Sequence, residues 1–244
     1  MPVKTITNYS PNFSKIRRNN KKIKYLIFHY TGMKTDSDAI KKLTRIQSQV
    51  SAHYFIKRNG DIVIMVPDNY IAWHAGVSAW SRDKYLNKNS IGIEISNPGH
   101  QFNYKNFTEK QIISLIELSK KLIKKYKIKK EYILGHSDIA PERKIDPGEK
   151  FSWEKMNKNK IGIWHKISSK KLVPLRCKKL SKIEKFIFKK YLKKIGYVFS
   201  YRNLKTNKKI DNYIFKAFQR RFRQSLVNGK IDKECLLIAK KLAI

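Results

Sequence analysis

Between about residue 20 and residue 150, short apolar runs of strand length alternate with amphipathic stretches of helical period. Lys24-Tyr-Leu-Ile-Phe-His29 is one such run, and it ends at a polar Tyr30-Thr31-Gly32 turn. Residues 37–49 follow, with Ile40, Leu43 and Ile46 at helical spacing. Two apolar runs, 52–57 and 61–66, flank Arg58-Asn59-Gly60, and Asn-Gly between apolar runs is a strong hairpin signal. Residues 71–73 read as another short strand. Residues 90–96 set Ile91, Ile93 and Ile95 on one face against Gly92, Glu94 and Ser96 on the other. Thr108-Glu-Lys-Gln111 is a capping box that opens a helix running to about Tyr126. Residues 132–134 read as a last strand, followed by Gly135-His136 and a long polar loop over 137–150. This interleaving predicts an α/β unit with a mixed central sheet flanked by helices.

The pattern changes after residue 166. Residues 167–244 carry 23 basic and 4 acidic side chains, against 32 and 14 in residues 1–166. Such a step in charge density suggests a boundary. Three helical patterns follow, marked by Ile183, Phe186, Ile187, Tyr191 and Ile195, then Ile210, Ile214, Ala217, Phe218 and Phe222, then Leu236, Ala239 and Leu242. The organisation expected is a catalytic unit over 1–166, a linker over 167–179 and a small three-helix domain over 180–244.

The formal net charge of +37 invites a polyanionic partner. Lysine outnumbers arginine 44 to 11, however, and Ile and Asn are also plentiful. That profile is what drift toward A- and T-rich codons produces, whereas base and phosphate readers lean on arginine. No specific nucleic-acid site is expected. No apolar run approaches the roughly 20 residues of a membrane helix. The first residues, Met-Pro-Val-Lys-Thr-Ile-Thr-Asn, lack the apolar core of a secretory signal. Two cysteines, both after residue 166, exclude a disulfide scaffold and fit a reduced pair. The expectation is a cytoplasmic protein, or a periplasmic or envelope one if translation begins upstream.

His29 closes one apolar strand and His136 another, and Asp146 lies just beyond in Lys144-Ile-Asp146-Pro-Gly148. Two histidines and a carboxylate on rigid supports would hold Zn²⁺ with a fourth position open to water. Taken singly, each fits a satisfied histidine or a loop-capping aspartate better than a ligand. There is no His-Glu-x-x-His signature, so spacing alone does not establish a metal.

Five segments in order sharpen the reading. They are Leu26-Ile-Phe-His-Tyr-Thr-Gly32, Ser51-Ala-His-Tyr-Phe55, Ala72-Trp-His-Ala-Gly76, Ser90-Ile-Gly-Ile-Glu94 and Gly135-His-Ser-Asp-Ile-Ala-Pro-Glu-Arg-Lys-Ile-Asp-Pro-Gly148. Together they resemble the zinc-dependent N-acetylmuramoyl-L-alanine amidases of the type 2 group, which share a fold with peptidoglycan-recognition proteins. The tail, above all Ala217-Phe-Gln-Arg-Arg-Phe-Arg223 with Asn228-Gly-Lys-Ile-Asp232, resembles the helical peptidoglycan-binding module of some members.

The resemblance implies zinc held by His29, His136 and Asp146. It implies Glu94 as general base and Lys144 as the cation facing the developing oxyanion. His53 and His74 match cleft positions expected to line the substrate. Trp73 and Trp80 fit apolar walls for sugar or peptide, or plain packing. His100 and His165 match no catalytic position. The implied reaction cuts the amide between N-acetylmuramic acid and L-alanine of peptidoglycan or (anhydro)muropeptides, in cell-wall turnover or recycling. The rival readings are a non-catalytic peptidoglycan-binding protein and a polyanion binder that needs no zinc.

Overall fold

The computed structural model describes residues 3–199 and 208–243. Among these, the strands are β1 (Thr5–Thr7), β2 (Phe13–Ser14), β3 (Tyr25–Tyr30), β4 (Tyr54–Ile56), β5 (Ile62–Ile64), β6 (Ile71–Ala72), β7 (Ala79–Trp80), β8 (Asp83–Lys84), β9 (Ser90–Ile95) and β10 (Ile133–Gly135). The helices are α1 (Asp36–Thr44), α2 (Glu109–Tyr126), α3 (His136–Ile139), α4 (Trp153–Lys158), α5 (Ser169–Leu172), α6 (Lys182–Ile195), α7 (Lys208–Phe222) and α8 (Lys233–Leu242).

Six strands form a central sheet in the order β1-β5-β4-β9-β3-β10. β4 and β5 are an antiparallel hairpin around Asn59-Gly60. β3 runs parallel to both β9 and β10, and β4 runs parallel to β9. The sheet is therefore mixed, as the alternation of strand and helix patterns predicts.

The alternation along β9 gives the sheet two differently used faces. Ile91, Ile93 and Ile95 share a buried cluster with Leu26 and Phe28 of β3 and with Ile112, Leu115 and Leu122 of α2. Thr108 and Gln111 cap α2 reciprocally. On the other face, Tyr25 and Ile27 of β3 and Leu134 of β10 share a cluster with Phe188 and Leu192 of α6, Phe218 of α7 and Ile238 of α8. Each such side chain, fully buried, contributes about 1.5–3 kcal/mol. The C-terminal helices thus complete the core of the sheet. His29 continues the Tyr25–Ile27 face to the carboxyl end of β3, and Glu94 of β9 is its register partner. Ligand sites of open α/β sheets lie at the carboxyl ends of parallel strands.

Several elements differ from the sequence expectation. β1 pairs parallel with β5; Thr-Ile-Thr is too short to show a period. α1 ends at Thr44, because Arg45 is extended and residues 46–48 form a separate 3₁₀ turn. β6 pairs with β2 outside the main sheet. α6 buries Phe188, Leu192 and Ile195, while Ile183 and Phe186 are exposed. The sequence offers two apolar stripes there, and packing selects the second. Residues 167–179 contain α5, with Leu172 buried in the cluster shared by sheet and C-terminal helices. Residues 200–207 lie outside the described residues. Gly196 stops α6 at φ 131°, where a side chain would fall within 2.5 Å of Trp80 Nε1. No helix among the described residues is long and apolar enough to cross a membrane.

Candidate metal centre

His29 and His136 are almost fully buried, on β3 and on the first turn of α3. The Ser137 N–H donates to the Asp146 carbonyl at 2.8 Å, which ties the Asp146 loop to α3. The three side chains converge. His29 Nδ1 and His136 Nδ1 lie 2.9 Å apart, and Asp146 Oδ2 is 3.1 Å from each.

Two backbone carbonyls end the hydrogen-bond paths that lead from the rings. Leu86 O can only accept, so Ser90 Oγ, 2.6 Å away, donates to it. Ser90 Oγ then accepts from His74 Nε2 at 3.1 Å. Burial, with His29 and His53 adding to it, holds His74 neutral by pushing its imidazole well below the usual range. His74 Nδ1 is therefore a bare acceptor, 3.0 Å from His29 Nε2, which donates to it. His29 Nδ1 is left with a lone pair. His136 Nε2 lies 3.3 Å from the Ala75 carbonyl and 3.5 Å from Arg143 Nη2; the tautomer protonated at Nε2 donates to that carbonyl and leaves a lone pair on Nδ1.

Burial drives His136 down to about 4, against the pull of Asp146. Two lone pairs and a carboxylate oxygen thus face one another, an arrangement that a divalent cation relieves. Donors on a tetrahedral zinc sit about 3.3 Å apart, close to the spacing here. Among the described residues, this is the group of three whose donor atoms could hold a metal ion.

Glu94 stands beside this cluster. Burial pushes its carboxyl up to about 7, with His29 and Lys144 pulling it down and Asp146 pushing it further up. Its Oε2 is buried without a hydrogen-bond partner. A carboxyl poised near neutrality can both take and give a proton. Glu94, Lys144 and Asp146 open into a cleft of about 460 Å³ walled by Tyr30, Trp73 and Arg143.

The family model for N-acetylmuramoyl-L-alanine amidase matches residues 19–149. The chain belongs to the N-acetylmuramoyl-L-alanine amidase family. It is 34% identical over 235 residues to the N-acetylmuramoyl-L-alanine amidase AmiD of Escherichia coli (strain K12), covering 91% of this chain and 82% of that one. It is 40% identical over 164 residues to the 1,6-anhydro-N-acetylmuramyl-L-alanine amidase AmpD of Haemophilus influenzae, covering 60% and 86%. Among solved structures, the E. coli AmiD complex with anhydro-N-acetylmuramic acid-L-Ala-D-gamma-Glu-L-Lys superposes with a TM-score of 0.78 at 32% identity, over 94% of this chain and 91% of that one. AmpDh3 of Pseudomonas aeruginosa in complex with anhydromuramic pentapeptide gives 0.77 at 27%, over 94% of each chain.

In this amidase the expected cleft residues divide. Trp73, 36% exposed, and His74 line the cleft. His53 does not reach it: it is fully buried, accepting from the Gly92 N–H at Nδ1 and packed against the Arg18 guanidinium. Burial, then Arg18, lowers it to about 3. Trp80 does not reach the cleft either. It is 1% exposed and meets Tyr197 edge to face, where the C-terminal helices dock. Sequence reasoning missed Ser90, which sets the tautomer of His74, and Tyr30, His100 and Arg143, which line the cleft. Gly92 carried a signal for His74. A glycine inside an isoleucine strand marks close approach, and a Cβ there would fall within 2.5 Å of His74 Nδ1.

Proposed function

We propose that this amidase hydrolyses the amide between the lactyl group of N-acetylmuramic acid and L-alanine of muropeptides, 1,6-anhydro forms included, and that zinc held by His29, His136 and Asp146 is its cofactor. The single observation that carries the reading is the convergence of two imidazole nitrogens and one carboxylate oxygen beside Glu94, whose buried Oε2 has no hydrogen-bond partner. When bound, zinc supplies Lewis acidity, polarising the scissile carbonyl and acidifying water toward neutrality.

The chain's own residues do the rest. Glu94 takes the proton of the attacking water and delivers it to the departing L-alanine nitrogen. The Lys144 ammonium faces the oxygen of the tetrahedral species and offsets its charge. His74 holds His29 in the tautomer that leaves Nδ1 bare. Trp73 offers an apolar wall for sugar or peptide, and Lys42 and Arg143 give the cleft a cationic rim for an anionic stem peptide. The relatives' printed substrates, an anhydro-N-acetylmuramic acid tripeptide and an anhydromuramic pentapeptide, support the same class here. Cys177 and Cys235 are unpaired, which supports a reducing compartment, the cytoplasm.

The test is mass-spectrometric product analysis with a soluble 1,6-anhydro-muramoyl tripeptide and its reducing-end counterpart. Free tripeptide plus intact sugar is the expected result. Binding without peptide release would replace this reading with a peptidoglycan-binding role.

A further inference from the structure

The arginine-rich segment at the end of α7 resembles part of a ligand-binding module, yet Arg221 and Arg223 are buried. Arg221 is 1% exposed and reaches out of the C-terminal helices into the catalytic unit. Its Nη1 donates to Asp138 Oδ2 at 2.7 Å and its Nη2 to the Ile133 carbonyl at 2.9 Å. Those two acceptors bracket His136, one on β10 before it and one on α3 after it. The guanidinium also lies over the Trp153 ring, 4.4 Å from its centroid.

Asp138 accepts at both of its oxygens. Oδ2 also accepts the Gly135 N–H at 2.8 Å, closing the turn around His136, and Oδ1 accepts the Tyr197 hydroxyl at 2.6 Å. Tyr197 and Arg221 both come from the C-terminal helical segment. One buried carboxylate, two residues from a candidate metal ligand, is thus held by two side chains of the other segment.

From this geometry we infer that Arg221 and Tyr197 are positioning residues for the metal centre, clamping the Asp138 turn so that His136 Nδ1 faces His29 and Asp146. The C-terminal helices then act as a strut for the metal site, with Arg221 committed to that docking. The inference rests on the metal-centre reading above.

The test is zinc affinity of the full chain, by competition with a chromophoric chelator, in the parent, Arg221→Lys, Tyr197→Phe and Arg223→Lys. Lysine keeps the charge beside Asp138 but cannot span both Asp138 and Ile133. Arg223 is the control: it is also buried, one residue past the end of the same helix, but it pairs with Asp232 at 2.5 Å and bonds Asn228 and Leu226, all within the C-terminal segment. Loss of an indirect support for a ligand weakens metal binding by about 10–100-fold. That loss is expected in Arg221→Lys, a smaller one in Tyr197→Phe, and none in Arg223→Lys, whatever the three thermal midpoints. Equal affinity in all four proteins would overturn the inference, as would equal weakening by Arg223→Lys, which marks general destabilisation. A parent that binds no zinc would remove the metal-centre reading itself, and the inference with it.

Discussion

Gly92→Ala tests the route by which the sheet sets the tautomer of His29. The added Cβ would lie 2.5 Å from His74 Nδ1 and 2.7 Å from its Cδ2. Carbon contacts settle at about 3.5–4.0 Å, so the ring must retreat by about 1 Å. The retreat has little room, since Ser90, His29 and the buried His53 ring all stand against His74. Overpacking of this kind costs about 1–3 kcal/mol. The displacement also breaks the hydrogen-bond chain from Leu86 through Ser90 and His74 to His29. Without it His29 Nε2 loses its acceptor, and the proton is free to move to the metal-facing Nδ1. A loss of about 10–100-fold in zinc affinity follows. Thermal unfolding with and without zinc, together with chelator competition, reads both effects. A variant with the parent's stability and zinc affinity would mean that His74 does not hold His29.

Other consequences can be measured separately. Glu94→Gln should keep zinc binding and lower kcat by about 10²–10⁴-fold; unchanged turnover would remove Glu94 as the base. A base works ionised, so kcat/KM of the parent should fall as pH drops through the Glu94 pKa, at about 7 in the metal-free site and lower beside a bound cation; the acid limb should vanish in Glu94→Gln. Asp68 is held below the usual carboxylate range: burial opposes this, but hydrogen bonds from Tyr126, Tyr54 and Lys125 outweigh it. Its stabilisation is present above the unfolded pKa of about 3.9 and is lost as pH falls through the folded value. Urea midpoints at pH 7 and pH 3 should therefore differ less in Asp68→Asn than in the parent. Trp80→Ala should cost about 3–5 kcal/mol of stability with KM unchanged in the folded fraction, whereas Trp73→Ala should raise KM and barely move the thermal midpoint.

The candidate site was legible where chemistry and local pattern coincide. His29 ends an apolar strand, and the strand's alternation places it on the face away from α2. Glu94 was legible for the same reason, lying opposite the isoleucines of β9. His136 and Asp146 stand at fixed offsets within one segment. Exposure was not legible. His53 and His74 sit in similar contexts, yet one is sealed behind Arg18 and the other floors the cleft, because distant segments decide what covers each ring. Trp80 looks like an aromatic wall until Gly196, more than a hundred residues away, packs against it. The α6 stripe was legible only in part, for a related reason: Ile195 and Tyr191 do pack on the core, but Ile183 and Phe186 are exposed and Phe188 and Leu192 take their place, because apolar residues at helical spacing lie on both faces and only the sheet chooses between them. The role of Arg221 was hidden in a run of arginines in a lysine-rich, highly basic chain.

In the proposed function, His29, His136 and Asp146 hold the metal that amide hydrolysis requires. X-ray absorption at the zinc edge, on protein stripped with chelator and restored with one equivalent of zinc, tests it most directly when peptide release is followed on the same sample. The expected result is one zinc per chain, nitrogen and oxygen neighbours at about 2.0–2.2 Å without sulfur, and turnover that returns with the metal. Full turnover in the stripped protein, or a zinc bound through a cysteine, would contradict it.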